Sequence, residues 1–177
     1  MSHYGVHGAF VVPRDDRGVL LRDVGDFWDS IESEYPGLST AIGVYVFGLR
    51  SSGGPTITPW YVGKSINANG FKGECFTPHK RDCYHDAMAN YERAVPGLFL
   101  IARLTDTGRF SQDRNVDEID FLEKYFIGLA INVNPEIVNR RSTVNYTRVV
   151  VPGILNSPPG NPGAGAVNLK AAFGLNE

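Results

Sequence analysis

Several residues of this chain are of the types that handle phosphate esters. They are two tyrosines in apolar runs (Tyr45 and Tyr61), a lysine just past the second (Lys64), an arginine and a histidine four residues apart (Arg81 and His85), and a glutamate, Glu123. The stretch "PWYVGKS" ends in Gly63-Lys64-Ser65, like a nucleotide-binding phosphate loop. That loop needs another glycine where Thr58 stands, because its backbone N–H groups wrap the phosphates from there. Pro55 and Pro59 stiffen the same segment, which argues against a phosphate loop. A tyrosine on a strand is ordinarily a packing residue. A free phenol has a pKa near 10, so an oxyanion on either tyrosine would need the help of a cation. Lys64 could supply it, or could simply be a solvated lysine at a strand end.

Arg81 and His85 share one helix face at i and i+4, and a guanidinium fork suits a phosphate. A surface arginine and a hydrogen-bonded histidine are the ordinary explanation for such a pair. Lys80 competes with Arg81, and Tyr84 with His85, because the helix register is open by a residue. Glu123 carries more weight. Its neighbours at −4, +3, +4 and +7 are Ile119, Phe126, Ile127 and Ala130, with Asp120 at −3. A carboxylate in an apolar stripe is costly unless a cation satisfies it, either a basic side chain or a divalent metal. Glu118 and Asp117 lie in the first turn, where capping and helix-dipole roles suffice.

The elements that must hold these residues follow from the pattern. "AIGVYVFGL" (41–49) reads as a buried strand, "SSGGPTITP" (51–59) as a loop and "WYVGKS" (60–65) as a second strand. Residues 77–94 read as a helix with Thr77 at its N-cap and Pro78 at its first position. A third strand spans 97–105, and a second helix 115–130, with Asn115 and Glu118 placed to form a capping box. The order β, β, α, β, α predicts an α+β fold, with a small three-stranded antiparallel sheet flanked by helices. Residues 1–40 form an added N-terminal layer, a short strand pair or a strand and a bend, followed by the helix "DFWDSIESEY". The core runs over 41–141. Residues 142–177 form an extension with the Pro/Gly-rich stretch 156–166 and an amphipathic end.

The 177 residues carry a net charge of −2, so the chain is not a polycation that coats nucleic acid. The charge is uneven: residues 1–40 carry three arginines against seven acids, and residues 139–177 carry Arg140, Arg141, Arg148 and Lys170 against Glu177. A local basic surface is compatible with that total. The N-terminus lacks the basic-then-apolar pattern of a secretory signal, and no apolar run approaches the ~20 residues of a membrane span. With two cysteines and no disulfide framework, the expectation is a reduced, cytoplasmic protein. Cys75, His79, Cys83 and His85 invite a zinc reading, but Pro78 interrupts any helix holding the first two. Cys83 and His85 diverge by roughly 200° on a helix.

"GVY" (Gly43-Val44-Tyr45) and "YVG" (Tyr61-Val62-Gly63), then a helix with Arg81, then "LEKYFI" with Glu123, then "NPEIVN", together resemble a GIY-YIG nuclease over roughly residues 41–141. The pattern is closest to the stand-alone restriction-endonuclease-like members. The resemblance implies a metal-dependent endonuclease that hydrolyses DNA phosphodiesters. Tyr45 and Tyr61 would line the phosphate site, with Tyr61 as general base aided by Lys64 or His85. Arg81 would clamp the scissile phosphate, and Glu123 would bind one Mg²⁺ or Mn²⁺. Asn139 would close the site, with Asn134 as the competing asparagine. DNA contacts are expected from Lys72, Lys80, Arg140 and Arg141, from the "TITP" loop and from the inserted stretch 66–76. DNA is the expected partner, and a homodimer stays open. Two other readings remain: a non-catalytic nucleic-acid-binding or assembly module on the same fold, and a nuclease acting on RNA.

Overall fold

The central sheet is built by the most apolar, β-branched and aromatic stretches of the chain, as their composition favours. The computed structural model describes residues 2–51, 54–91, 93–114, 116–139, 151, 160 and 163–172. Its elements in order are β1 (His3–Val11), α1 (Gly25–Glu34), β2 (Gly43–Arg50), β3 (Ile57–Ser65), α2 (Gly70–Glu74), α3 (Pro78–Met88), β4 (Val95–Leu104), α4 (Val116–Val133) and α5 (Ala164–Ala172). The chain divides into one unit over Met1–Asn139 and another over Arg140–Glu177. Within the second, α5 is a short helix with Val167 and Leu169 exposed.

The fold is α+β, with an antiparallel sheet in the order β1-β4-β2-β3. The sheet therefore has four strands, not the three expected. The N-terminal strand is not a separate layer but pairs with β4, from His3 opposite Leu104 to Val11 opposite Gly97. β2 and β3 form a hairpin, with Tyr45 opposite Gly63 and Val44 opposite Lys64. This hairpin is longer than predicted, because "ITP" (57–59) continues β3 back to its pairing with Arg50, Leu49 and Gly48. The helix expected over 77–94 is also shorter, since α3 ends at Met88. The insert after β3 contains a helix of its own, α2.

Alternation along the strands divides the core between the two faces. On one face Tyr45, Phe47, Leu49, Tyr61, Leu98 and Leu100 pack with Trp28 and Ile31 of α1, Phe71 of α2 and Tyr84 of α3. On the other face α4 lies against β3 and β2, burying Ile119, Ile127, Ala130 and Ile131. Arg103 of β4 ties in the start of α4: its guanidinium lies 2.8 Å from Asp113 and 3.6 Å from Glu118. Asn115, expected to cap α4, lies outside the described residues. Glu118 instead accepts hydrogen bonds from Ser2 and Tyr4 of the N-terminal segment. No helix among the described residues is long and apolar enough to cross a membrane.

Candidate active site

Tyr45 and Tyr61 come together because neighbouring strands put them on the same face. Their rings stack with centroids 6.2 Å apart and planes 29° apart. The glycines of both tripeptides have steric reasons to be glycine. A Cβ on Gly63 would lie 2.5 Å from the Tyr45 ring and hydroxyl and 2.9 Å from the Tyr61 ring. A Cβ on Gly43 would lie 2.0 Å from the Ile101 carbonyl oxygen, and the φ of 149° at Gly43 suits glycine. The tyrosine pair thus needs bare backbone at Gly63.

Tyr45 is fully buried, and burial pushes its hydroxyl well above the ordinary phenol range, with Tyr84 adding to the shift. Tyr61 is less deeply enclosed and has a cationic partner: the Lys80 Nζ donates to its hydroxyl at 2.6 Å. Burial raises Tyr61 above the usual phenol range, and the hydrogen bond and charge of Lys80 pull it part of the way back. Burial also works against the Lys80 charge, but Tyr61 and the carboxylate of Glu74, 3.6 Å away, outweigh it and hold the ammonium above its ordinary range.

Alternation puts Lys64 on the opposite face of β3 from Tyr61, under α4. There the Lys64 ammonium is hydrogen-bonded to Asp120 and lies 3.4 Å from Glu123. Asp120 and Glu123 are three residues apart and so share one helix face. Burial alone would lower Lys64, but the bond to Asp120 and the charges of Glu123 and Asp120 raise it above its ordinary range. The charge of Glu123 also raises both Tyr61 and Lys80. The cluster thus spans the two faces of β3: Tyr61, Lys80 and Glu74 on one side, Lys64, Asp120 and Glu123 on the other.

Among the described residues, no three of the His, Cys, Asp and Glu side chains gather as a ready-made metal-ligand set. Magnesium does not require one, because it commonly takes one or two carboxylates and fills its other positions with water and substrate phosphate. Glu123 is a hard oxygen donor whose side chain is 20% exposed and lies 3.4 Å from the Lys64 ammonium. The residues present therefore fit one divalent ion at Glu123.

Neither family models, nor curated proteins, nor solved structures give a match to this chain.

The arginine expected at the phosphate is not brought to this cluster. Arg81 and His85 do share a face, as their spacing requires, but that face is turned toward the N-terminal segment. The Arg81 guanidinium donates to the carbonyls of Phe76 (2.9 Å), Leu21 (2.5 Å) and Arg22 (2.8 Å), so its fork is occupied by backbone. His85 lines a cleft with residues 11–19. Tyr84, the alternative to His85, is fully buried and stacks on Phe47 at 4.0 Å. The position one residue earlier, Lys80, is the cation that reaches Tyr61.

Asn139 is placed beside the cluster but acts on the backbone. Its side chain accepts from the Val62 N–H at 2.8 Å and donates to the Val62 carbonyl at 2.6 Å, as a neighbouring strand would. Asn134 donates to the Pro59 carbonyl at 2.9 Å, and the Val138 N–H donates to Trp60. Residues 134–139 thus close the free edge of β3 between Pro59 and Val62. Lys72 is exposed on α2; burial raises Glu32, but hydrogen bonds from Ser39 and Gly37 and, last, the charge of Lys72 hold it below its ordinary range. Arg140 and Arg141 lie outside the described residues.

Two contributors were not among the expected site residues. Asp120 was legible as a second carboxylate one turn before Glu123. Glu74 had no such signal, since it sits in the insert with no periodicity to link it to Lys80.

Proposed function

We propose that the chain is a metal-dependent endonuclease of GIY-YIG type that hydrolyses DNA phosphodiesters, with Tyr61, Lys80 and Glu123 as its working residues. The observation that carries this reading is the Lys80–Tyr61 hydrogen bond, with Tyr61 stacked on Tyr45 and the charge of Glu123 acting on both partners from across β3. An ammonium in contact with a tyrosine hydroxyl stabilises the phenolate, the form that can accept a proton. Tyr61 takes the proton of the attacking water as the scissile P–O bond breaks. Lys80 stabilises the phenolate and adds positive charge near the phosphate. Lys64 orients Glu123 and offsets the charge of Asp120, and Asn139 fixes the backbone between Tyr61 and Gly63. A divalent ion on Glu123, when bound, supplies Lewis-acid stabilisation of the phosphate. The test is cleavage of supercoiled plasmid with Mg²⁺, Mn²⁺ or EDTA. Cutting in either metal that stops in EDTA supports the reading, and equal cutting in EDTA contradicts it.

A second reading, a nucleic-acid-binding module without catalysis, is favoured by one observation: Arg81, the arginine expected to clamp the phosphate, is committed to three backbone carbonyls instead. Metal-independent binding that weakens steeply with salt, with no cutting of DNA or RNA, would support this second reading.

A further inference from the structure

The far side of α3 carries a second feature that the Tyr61 cluster does not use. Lys80 and His85 are five residues apart, roughly 140° around the helix, so His85 faces away from Tyr61. It lines a cleft of about 870 Å³ between the end of β1, the turn after it, the C-terminal half of α3 and the start of β4. That volume lies in the ~300–1,000 Å³ range of small-molecule sites.

The lining is divided by chemistry. Val11, Val19, Met88 and Pro96 give an apolar wall, and Arg14, Arg17 and Arg93 give a basic rim. Arg50 ends β2 opposite Val95, another lining residue, which adds a further guanidinium at this end of the sheet. The acids present are Asp15 and Asp16. Asp15 is taken up by its own turn, accepting from the Arg17 and Val19 N–H groups at 3.0 and 2.9 Å and pairing with the Arg17 side chain at 3.1 Å. An ion pair as exposed as this one holds its arginine weakly, so an incoming phosphate can compete for it. The His85 Nε2 is buried without a hydrogen-bond partner among the described residues, and a buried polar atom of that kind calls for one.

We propose that this cleft binds a nucleotide unit, with the base against the apolar wall and the phosphate on Arg17 and Arg93. A guanidinium plane can stack on an unstacked base, an aliphatic wall can enclose its apolar faces, and the arginine fork matches the phosphate. The unit can come from a free mononucleotide or from an unpaired stretch of a DNA strand. The proposal does not depend on the Tyr61 cluster being a nuclease.

The test is equilibrium dialysis in EDTA of the full chain against dAMP and against a single-stranded adenine tetranucleotide. Wild type is compared with Glu123→Gln, with Lys80→Met, with the charge reversal Arg17→Glu/Arg93→Glu, and with Val19→Glu. The reversed residues and Val19 are exposed, so the fold is expected to survive, as a thermal melt would show. Binding should weaken about tenfold or more in the reversal and in Val19→Glu, and stay unchanged in Glu123→Gln and Lys80→Met. Equal affinity for dAMP and the tetranucleotide would identify a mononucleotide site, and binding of the tetranucleotide alone a strand site. Absence of binding to both, binding that ignores the reversal, or binding lost only with Lys80→Met would overturn the proposal.

Discussion

The Lys80 ammonium donates to the Tyr61 hydroxyl at 2.6 Å and also lies 5.1 Å from the centroid of the Tyr61 ring. One cation therefore engages the same tyrosine through its oxygen and near its π-system, in a setting from which solvent is mostly excluded. The phenolate form of Tyr61 depends on that partner.

Replacement of Lys80 by Met should make Tyr61 harder to ionise and slow cleavage by about 10²–10⁴-fold, the usual worth of general acid–base catalysis. The pH dependence follows from the directions of the shifts. Tyr61 must be deprotonated to act, and its ionisation lies above the usual phenol range. Lys80, also raised, stays protonated through neutral pH. The wild-type rate should therefore climb with pH from neutral into the alkaline range. Single-turnover cleavage measured against pH checks this, and a flat profile would contradict the role of Tyr61 as base.

Arg81 should behave differently from its neighbour. Its guanidinium clips the Leu21–Arg22 backbone to α3, and loss of hydrogen bonds from a charged donor costs about 1–3 kcal/mol. Arg81→Ala should lower the urea midpoint, while the folded protein cleaves within about threefold of wild type. Paired denaturation and rate measurements separate the two effects. A folded Arg81→Ala protein with cleavage as low as Lys80→Met would restore Arg81 to the site.

This pair also shows where sequence reasoning stops. Adjacent helix positions point about 100° apart, and only the neighbours of α3 decide which one meets Tyr61. Two of the three partners of Arg81, the Leu21 and Arg22 carbonyls, lie about sixty residues upstream, in a segment whose docking no local pattern reveals. The pairing of β1 with β4 escaped for the same reason: His3 meets Leu104 across nearly the whole core, and alternation gives strands but not their partners. The tyrosine pair was legible because both residues sit in one hairpin, where local register suffices. Glu123 was legible because a charge in an apolar helical stripe demands a cation, although which lysine answers it depended on the strand face. Asn139 stood out as a candidate, but that its side chain would serve as a strand partner for Val62 was not legible in its spacing.

Asn139 offers a test of positioning as against chemistry. Asn139→Ala leaves the Val62 N–H and carbonyl without their partners at a buried strand edge, a loss of about 1–3 kcal/mol. Asn139→Asp should cost at least as much, since a carboxylate cannot donate to the Val62 carbonyl. Urea unfolding should show both losses. Rates should fall through displacement of Tyr61, with the slope of the pH profile retained. A stable Asn139→Ala protein would contradict the edge-closing role.

The most direct test of hydrolysis at this cluster is single-turnover plasmid cleavage in Mg²⁺ by wild type and Glu123→Gln, with thermal melts of both. The Glu123 side chain is partly exposed and Asp120 still holds Lys64, so the substitution should alter stability by no more than about 1 kcal/mol. Cleavage absent in a folded Glu123→Gln protein, with wild type active, is the result expected. Cleavage at the wild-type rate in the same folded variant would contradict the role assigned to Glu123 and to the cluster around it.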